Sequence, residues 1–198
     1  MESTIEARPN VRNNYRSELG ETFNYFLKNE VKNQPNRILS VGCMFGYEAG
    51  ALLNVFPTAE YIGIDIDENY IRAAKAINND LSKAEFHFGD ARKKETFGEN
   101  PWDIIVIRHP QILGTIIKES NLAKDWQVIF KNSMSSLKPG GSMFISTSSK
   151  QERDRVIKYI NSSEDKMIIT VNSENEFSKS IGTFQDDFVI ISQKLINK

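Results

Sequence analysis

A chain of 198 residues, 39% hydrophobic and 26% charged, is long enough to bury one ordinary core, covering roughly 70% of its extended surface, without metal or disulfide. Twenty-five Lys and Arg against 26 Asp and Glu leave a net charge of -1, which disfavours a basic nucleic-acid footprint over much of the surface. The lone cysteine, Cys43, excludes an intramolecular disulfide and a multi-cysteine metal site.

The opening residues lack the apolar run of a secretory signal, and no later run approaches the eighteen or so residues of a membrane span, so a cytoplasmic protein is expected. Tyr15, Leu19, Phe23, Phe26, Leu27 and Val31 recur at steps of three and four, predicting an amphipathic helix. Residues 1–36 thus read as an N-terminal helical extension packed on a main domain of residues 37–198, with a turn around Pro35.

From residue 37 short apolar runs alternate with segments of helical length, the signature of βα units around a parallel sheet. The strands expected are Arg37–Val41, Tyr61–Ile66, Ala84–Phe88, Asp103–Ile107 and Ser142–Ser146, with helices near 46–55, 68–80, 119–137 and 151–161. Their near-continuous apolarity implies helices on both faces. The stretch 92–100 is too polar for a helix. Met167–Val171 and Phe188–Ile191 follow without a crossover helix, so an antiparallel pair closes a mostly parallel, Rossmann-like α/β sheet. The polar connector from Asn172 to Asp187 is expected to border the mouth of a pocket.

In such a sheet ligands bind beyond the carboxyl ends of the strands. The first strand is followed by Gly42-Cys43-Met44-Phe45-Gly46 and then Tyr47-Glu48. This is neither G-x-G-x-x-G nor a P-loop, so a compact group without phosphates is expected there; Glu48 favours an ammonium or hydroxyl. Asp65, ending the second strand, can accept both hydroxyls of a ribose, and Asp67 reads as the N-cap of the next helix. Asp90, after the third, can accept from an exocyclic amino group. The fourth ends in Arg108-His109-Pro110-Gln111, polar groups that packing alone does not explain.

These segments resemble, in order, a class I S-adenosylmethionine-dependent methyltransferase: ILSVGCMFG at 38–46, YIGIDIDENYIRAAK at 61–75, FHFGDAR at 86–92, WDIIVIRHP at 102–110 and LKPGGSMFIST at 137–147. The resemblance implies an open seven-stranded sheet with a reversed last strand and S-adenosylmethionine as cofactor. It implies that Gly42, Cys43, Met44 and Gly46 line the methionine part, Asp65 with Ile66 the ribose, and Asp90 with Ala91 the adenine. Pro139-Gly140-Gly141 would be the turn before the fifth strand. The chain departs from the family in having Ser40 where an acid is common and Met44 where a glycine is common. The stretch SVGCMFGYEA at 40–49 is also similar to the methyltransferases that esterify glutamates of chemotaxis receptors; by that match Glu48 takes up the charged amino acid end of the cofactor. The same branch has an arginine at the position of Arg108, and Tyr15-Arg16 match it loosely.

The implied reaction is direct in-line methyl transfer to a small-molecule or protein side-chain acceptor. A carboxylate needs only orientation, by Arg108 or Arg16; a phenol or protonated amine needs a base, for which His109 is suited. The expected catalytic residues are therefore His109 and Arg108, with no metal. His87, between Phe86 and Phe88, is expected to pack between sheet and helix, and Cys43 to fill the turn rather than act as a nucleophile. The segment 108–111 lacks the aromatic residue with which related enzymes stack a flipped base, leaving nucleic acid a less favoured acceptor. The charged residues of 150–158 read as a solvated helix face. Two other functions fit the same fold: a methyltransferase-like binding protein without activity, which Ser40 and Met44 would suit, and an aminopropyl transferase.

Overall fold

In the computed structural model, residues 18–31, 34–110, 112–113, 121–178 and 186–196 are described. Tyr15, Arg16, Gln111 and the start of the helix expected from 119 lie outside them. Helix α1 (18–30), π-helical over Phe23–Leu27, precedes β1 (Arg37–Val41), α2 (Glu48–Val55) and β2 (Glu60–Asp65). Then come α3 (Glu68–Ile77), β3 (Ala84–Phe88), a 3-10 turn at Lys94–Phe97 and β4 (Trp102–Arg108). The chain ends with α4 (Leu122–Ser136), β5 (Leu137–Thr147), α5 (Lys150–Asn161), β6 (Met167–Glu174) and β7 (Phe188–Lys194).

The seven strands form one sheet in the order β3-β2-β1-β4-β5-β7-β6. β1 to β5 pair in parallel, and β7 runs antiparallel between β5 and β6. The expected antiparallel ending is therefore present, with β7 inserted between its predecessors. The chain leaves β1 towards β2 and β3 on one side and returns to β4 on the other. The crevice of such a sheet opens where that direction reverses, above β1 and β4.

Alternating side chains divide the strands between two cores. Ile38, Ile104, Val106, Phe144 and Ile191 pack with Phe23 and Leu27 of α1 and Ala49 and Leu52 of α2. Leu39, Ile105, Ile145 and Ile190 pack on the opposite face with Phe130 and Met134 of α4 and Val156 and Ile160 of α5. Phe23 meets Phe144 edge to face, with centroids 5.1 Å apart. Burying side chains of this size stabilises by about 1.5–3 kcal/mol each.

Particular residues set the element boundaries. α2 starts at Glu48 rather than 46 because Gly46 has φ +63, outside the helical region. Gly46 is fixed sterically too, since a Cβ there would lie 2.3 Å from the Phe86 ring. Asp67 caps α3 as expected, its carboxylate accepting from the Asn69 N–H at 2.8 Å. Pro139-Gly140-Gly141 occupy an irregularity in β5, where the pairing steps from Leu137 to Ser142 while β4 steps from Trp102 to Ile104.

Two expectations are corrected. His87 is not packed between sheet and helix: β3 is an edge strand, and the His87 side chain is 54% exposed, 3.0 Å from Glu85. Nor is the charged stretch of α5 wholly solvated. Glu152 is buried at its first turn, and Arg155 donates to the Ile112 carbonyl at 3.0 Å.

Candidate active site

The turn after β1 and the end of β2 meet directly. Asp65, 7% exposed, accepts the Met44 N–H at 2.9 Å through Oδ2 and the Asp67 N–H at 2.9 Å through Oδ1. Met44 has φ +47, the left-handed conformation that a glycine adopts without strain, which accounts for the family's preference there. This side chain costs backbone strain while the Met44 N–H pins the turn to Asp65. Gly42 and Cys43 both donate to the Ile64 carbonyl, at 2.9 and 3.0 Å, tying the turn to β2. Cys43 fills the turn as expected. It is buried, and burial, reinforced by Glu48 and Asp65, pushes its thiol far above the usual range. Such a thiol is no nucleophile.

Glu48, buried at the start of α2, accepts the Ser40 hydroxyl at 2.6 Å and the Tyr61 hydroxyl at 2.9 Å through Oε1. Its Oε2 lies 3.6 Å from Nη1 of Arg108. Ser40 thus belongs to the acid at position 48. Buried Tyr61 keeps its proton, its pKa raised by burial and by Glu48.

Arg108 continues the chain of charges across β4. Its Nη2 donates to Oδ2 of Asp186 at 2.7 Å and its Nε to Oδ1 at 3.4 Å. His109 places Nε2 3.0 Å from Oδ1 of the same carboxylate, and the Ser146 hydroxyl donates to that oxygen. His109 itself has φ +48, held by its N–H on the Ser146 carbonyl at 3.0 Å. Burial alone would raise the Asp186 carboxyl, but Arg108 and His109 outweigh it and hold it well below the usual carboxylate range.

Asp186 and Tyr61 are the members that sequence reasoning missed. The connector 172–187 is expected at the pocket mouth, yet its penultimate residue reaches the interior. The only sequence signal was an acidic pair before an apolar strand, which any exposed loop can show.

Asp90 and Ala91 follow β3 on the other side. Both oxygens of Asp90 accept from Arg92, Oδ1 from Nε and Oδ2 from Nη2, each at 2.9 Å, and Arg92 also reaches Asp125 at 3.1 Å. Those hydrogen bonds hold the Asp90 carboxyl below its ordinary value. Ile66 and Phe88, 56% and 63% exposed, flank the end of β2 with apolar surface.

Glu152 gives the site a measurable pH dependence. Burial pushes its carboxyl up, more than the hydrogen bonds from Ser148 and the neighbouring His109 draw it down. A group with a raised folded pKa favours folding at low pH, and that contribution is lost as pH rises through the folded value. Glu152→Gln removes this loss. Urea unfolding should show the variant gaining stability relative to the parent between about pH 5 and pH 7. A difference that does not change with pH would contradict the burial argument.

The residues fit S-adenosylmethionine. Each Asp65 oxygen accepts one backbone N–H and keeps a second lone pair for a ribose hydroxyl, beside apolar surface suited to a base. Among the described residues no cluster of His, Cys, Asp and Glu could hold a metal ion, and no helix is long and apolar enough to cross a membrane.

No curated protein matches the sequence. A family model described as a methyltransferase domain matches residues 32–188. Among solved structures, the chain is similar to the amino pentose methyltransferase CalS10 from Micromonospora echinaspora, with 10% identity, TM-score 0.66 and 91% of each chain covered. It is similar to the N-methyltransferase NodS from Bradyrhizobium japonicum WM9 at 14% identity and TM-score 0.61, over 97% of this chain and 100% of that one. TrmN from Thermus thermophilus matches at 18% identity and TM-score 0.67, over 91% of this chain and 52% of TrmN. With a sheet of this order, a turn latched to an acid at the end of β2 and a family match over most of its length, the chain belongs to the methyltransferase domain family and has its class I fold.

Proposed function

We propose that the protein methylates a hydroxyl or amine, on a small molecule or a protein side chain, with His109 as the base. The observation that carries this reading is the buried chain Glu48–Arg108–Asp186–His109 at the switch point of the sheet. The Arg108 guanidinium is held by two internal carboxylates, so a carboxylate acceptor would have to displace one of them. An arginine so engaged orders the site. A histidine tied to the same carboxylate suits an acceptor that must lose a proton.

Bound S-adenosylmethionine supplies a methyl group on a sulfonium, passed in line to the acceptor while the bonding pair stays on sulfur. Asp65 would hold the ribose, Gly42 to Gly46 with Glu48 would border the amino acid end, and Ile66, Asp90 and Ala91 would border the adenine. His109 takes the proton that the acceptor loses. Alignment of the acceptor with the methyl group is able to supply several kcal/mol. The near-neutral charge favours a small-molecule or protein acceptor over nucleic acid.

Calorimetry with S-adenosylmethionine is expected to give saturable micromolar binding; none would reduce the chain to a scaffold without activity. Weaker binding of decarboxylated S-adenosylmethionine separates methyl from aminopropyl transfer. With methyl-labelled cofactor and a panel of phenols, amines and carboxylates, label should enter a phenol or amine. Label in carboxylates alone would overturn the role of His109.

A further inference from the structure

β3 ends the sheet on one side, and among the described residues no strand pairs with its outer edge. The backbone bonds show which residues face that edge. The Tyr61 N–H donates to the Lys83 carbonyl at 2.9 Å and the Gly89 N–H to the Asp65 carbonyl at 2.9 Å. In this parallel pair Glu85 and His87 therefore turn their backbone groups towards β2. Phe86 and Phe88 present theirs outward, as Ala84 does its carbonyl, while the Ala84 N–H is held by the Leu81 carbonyl at 3.1 Å. Sheet edges are commonly blunted by proline or a bulge. This one is five residues long, regular in its pairing and free of proline, and its last residue, Phe88, is 63% exposed.

We propose that β3 is the interface of a symmetric dimer, in which it pairs antiparallel with β3 of a second copy of this chain, Phe86 opposite Phe86. The side chains select both the partner and the register. With the two-fold axis at Phe86, Glu85 of each copy lies opposite His87 of the other, in the non-hydrogen-bonded position where facing side chains approach most closely. Both side chains are exposed, Glu85 by 70% and His87 by 54%, and they already lie 3.0 Å apart along the strand. The pairing of carboxylate with imidazole thus continues from one copy to the other. Moving the axis to Glu85 sets two carboxylates against each other and leaves out Phe88; moving it to His87 opposes two imidazoles and leaves out Ala84. In the Phe86 register the two Phe86 residues exchange both backbone bonds, and each Phe88 N–H reaches an Ala84 carbonyl. The Phe88 ring then comes beside Ala84 of the second copy, where Lys75, Asn78, Leu81 and Ala84 line a cavity of about 350 Å³. β2 separates this interface from the switch point above β1 and β4, and the carboxyl ends of the two sheets point in opposite directions, so each copy keeps its own cleft open.

The test uses the full chain and needs neither cofactor nor acceptor. A strand edge of this length makes a small interface, so sedimentation velocity is expected to show a monomer–dimer equilibrium with Kd of about 1–100 μM. Each Glu85–His87 pair occurs twice in the dimer. Glu85→Lys and His87→Glu, each alone, should therefore weaken association about tenfold or more, and the double variant, which exchanges the two signs, should restore it. Thermal melting checks that the variants fold. A chain still monomeric at about 1 mM would overturn the proposal, as would a dimer that both single variants leave unchanged or that the double variant fails to restore. Amide exchange locates the contact without any substitution: the Phe86 and Phe88 N–H groups should exchange more slowly as the protein concentration rises. Exchange at those two amides that does not depend on concentration, in a protein that dimerises, would place the interface elsewhere.

Discussion

Arg108→Leu is expected to lower the stability of the folded protein by about 3–5 kcal/mol at pH 7, because it leaves a buried anion without its cation. In the native protein Nη2 of Arg108 lies 2.7 Å from Asp186 and Nη1 lies 3.6 Å from Glu48. Leucine replaces the stem but neither charge. The pH dependence fixes the interpretation. In the parent, the depressed pKa of Asp186 contributes stability that is fully present above the unfolded value and lost only as pH falls through the folded one. Without the guanidinium, the burial that already opposes ionisation gains weight, and stability returns as the carboxyl is protonated at lower pH. Urea unfolding at pH 7 and at about pH 4.5 should therefore show the deficit shrinking on acidification. A loss below about 1 kcal/mol at pH 7 would mean that the pair acts as an exposed one.

The second large effect falls on the cofactor. On the proposed placement of the ribose, Asp65→Ala would remove a charged acceptor for its two hydroxyls, at about 1.5–3 kcal/mol, which corresponds to roughly 10- to 150-fold in the dissociation constant of S-adenosylmethionine. The same substitution releases the Met44 and Asp67 N–H groups, so part of the loss comes through the turn. Asp65→Asn separates the two, since its carbonyl oxygen still accepts from the backbone while the charge is gone. Calorimetry should rank the parent above Asp65→Asn and that above Asp65→Ala, with thermal melting confirming that each variant folds. An unchanged affinity in Asp65→Ala would place the ribose elsewhere.

Much of the fold was readable in order. A run such as Ile104–Ile107 is apolar throughout because helices cover both faces, and that pattern belongs to the residues alone. The N-cap at Asp67 and the acid closing β2 were likewise local facts, each tied to a strand or helix end. Where the reading failed, burial was decided by distant elements. His87 sits between two phenylalanines, yet β3 has a neighbour on one side only, and the ring faces solvent. Glu152 looked like one charge among several on α5, but it is buried at the first turn of that helix and accepts from Ser148.

The site divides in the same way. Gly42, Gly46, Asp65, Asp90, Arg108 and His109 lie at strand ends or in the turns that follow them, and a parallel sheet delivers every strand end to one edge; their sequence positions therefore implied a common neighbourhood. Only the tertiary structure decided which of them touch. It latched Met44 to Asp65, gave Ser40 and Tyr61 to Glu48, and inserted β7 beside β5 so that Asp186 closes on Arg108 and His109. The physical reason is sequence separation. Periodicity and capping act over a few residues, whereas a contact across 78 residues, as between Arg108 and Asp186, depends on strand order, which no local pattern encodes.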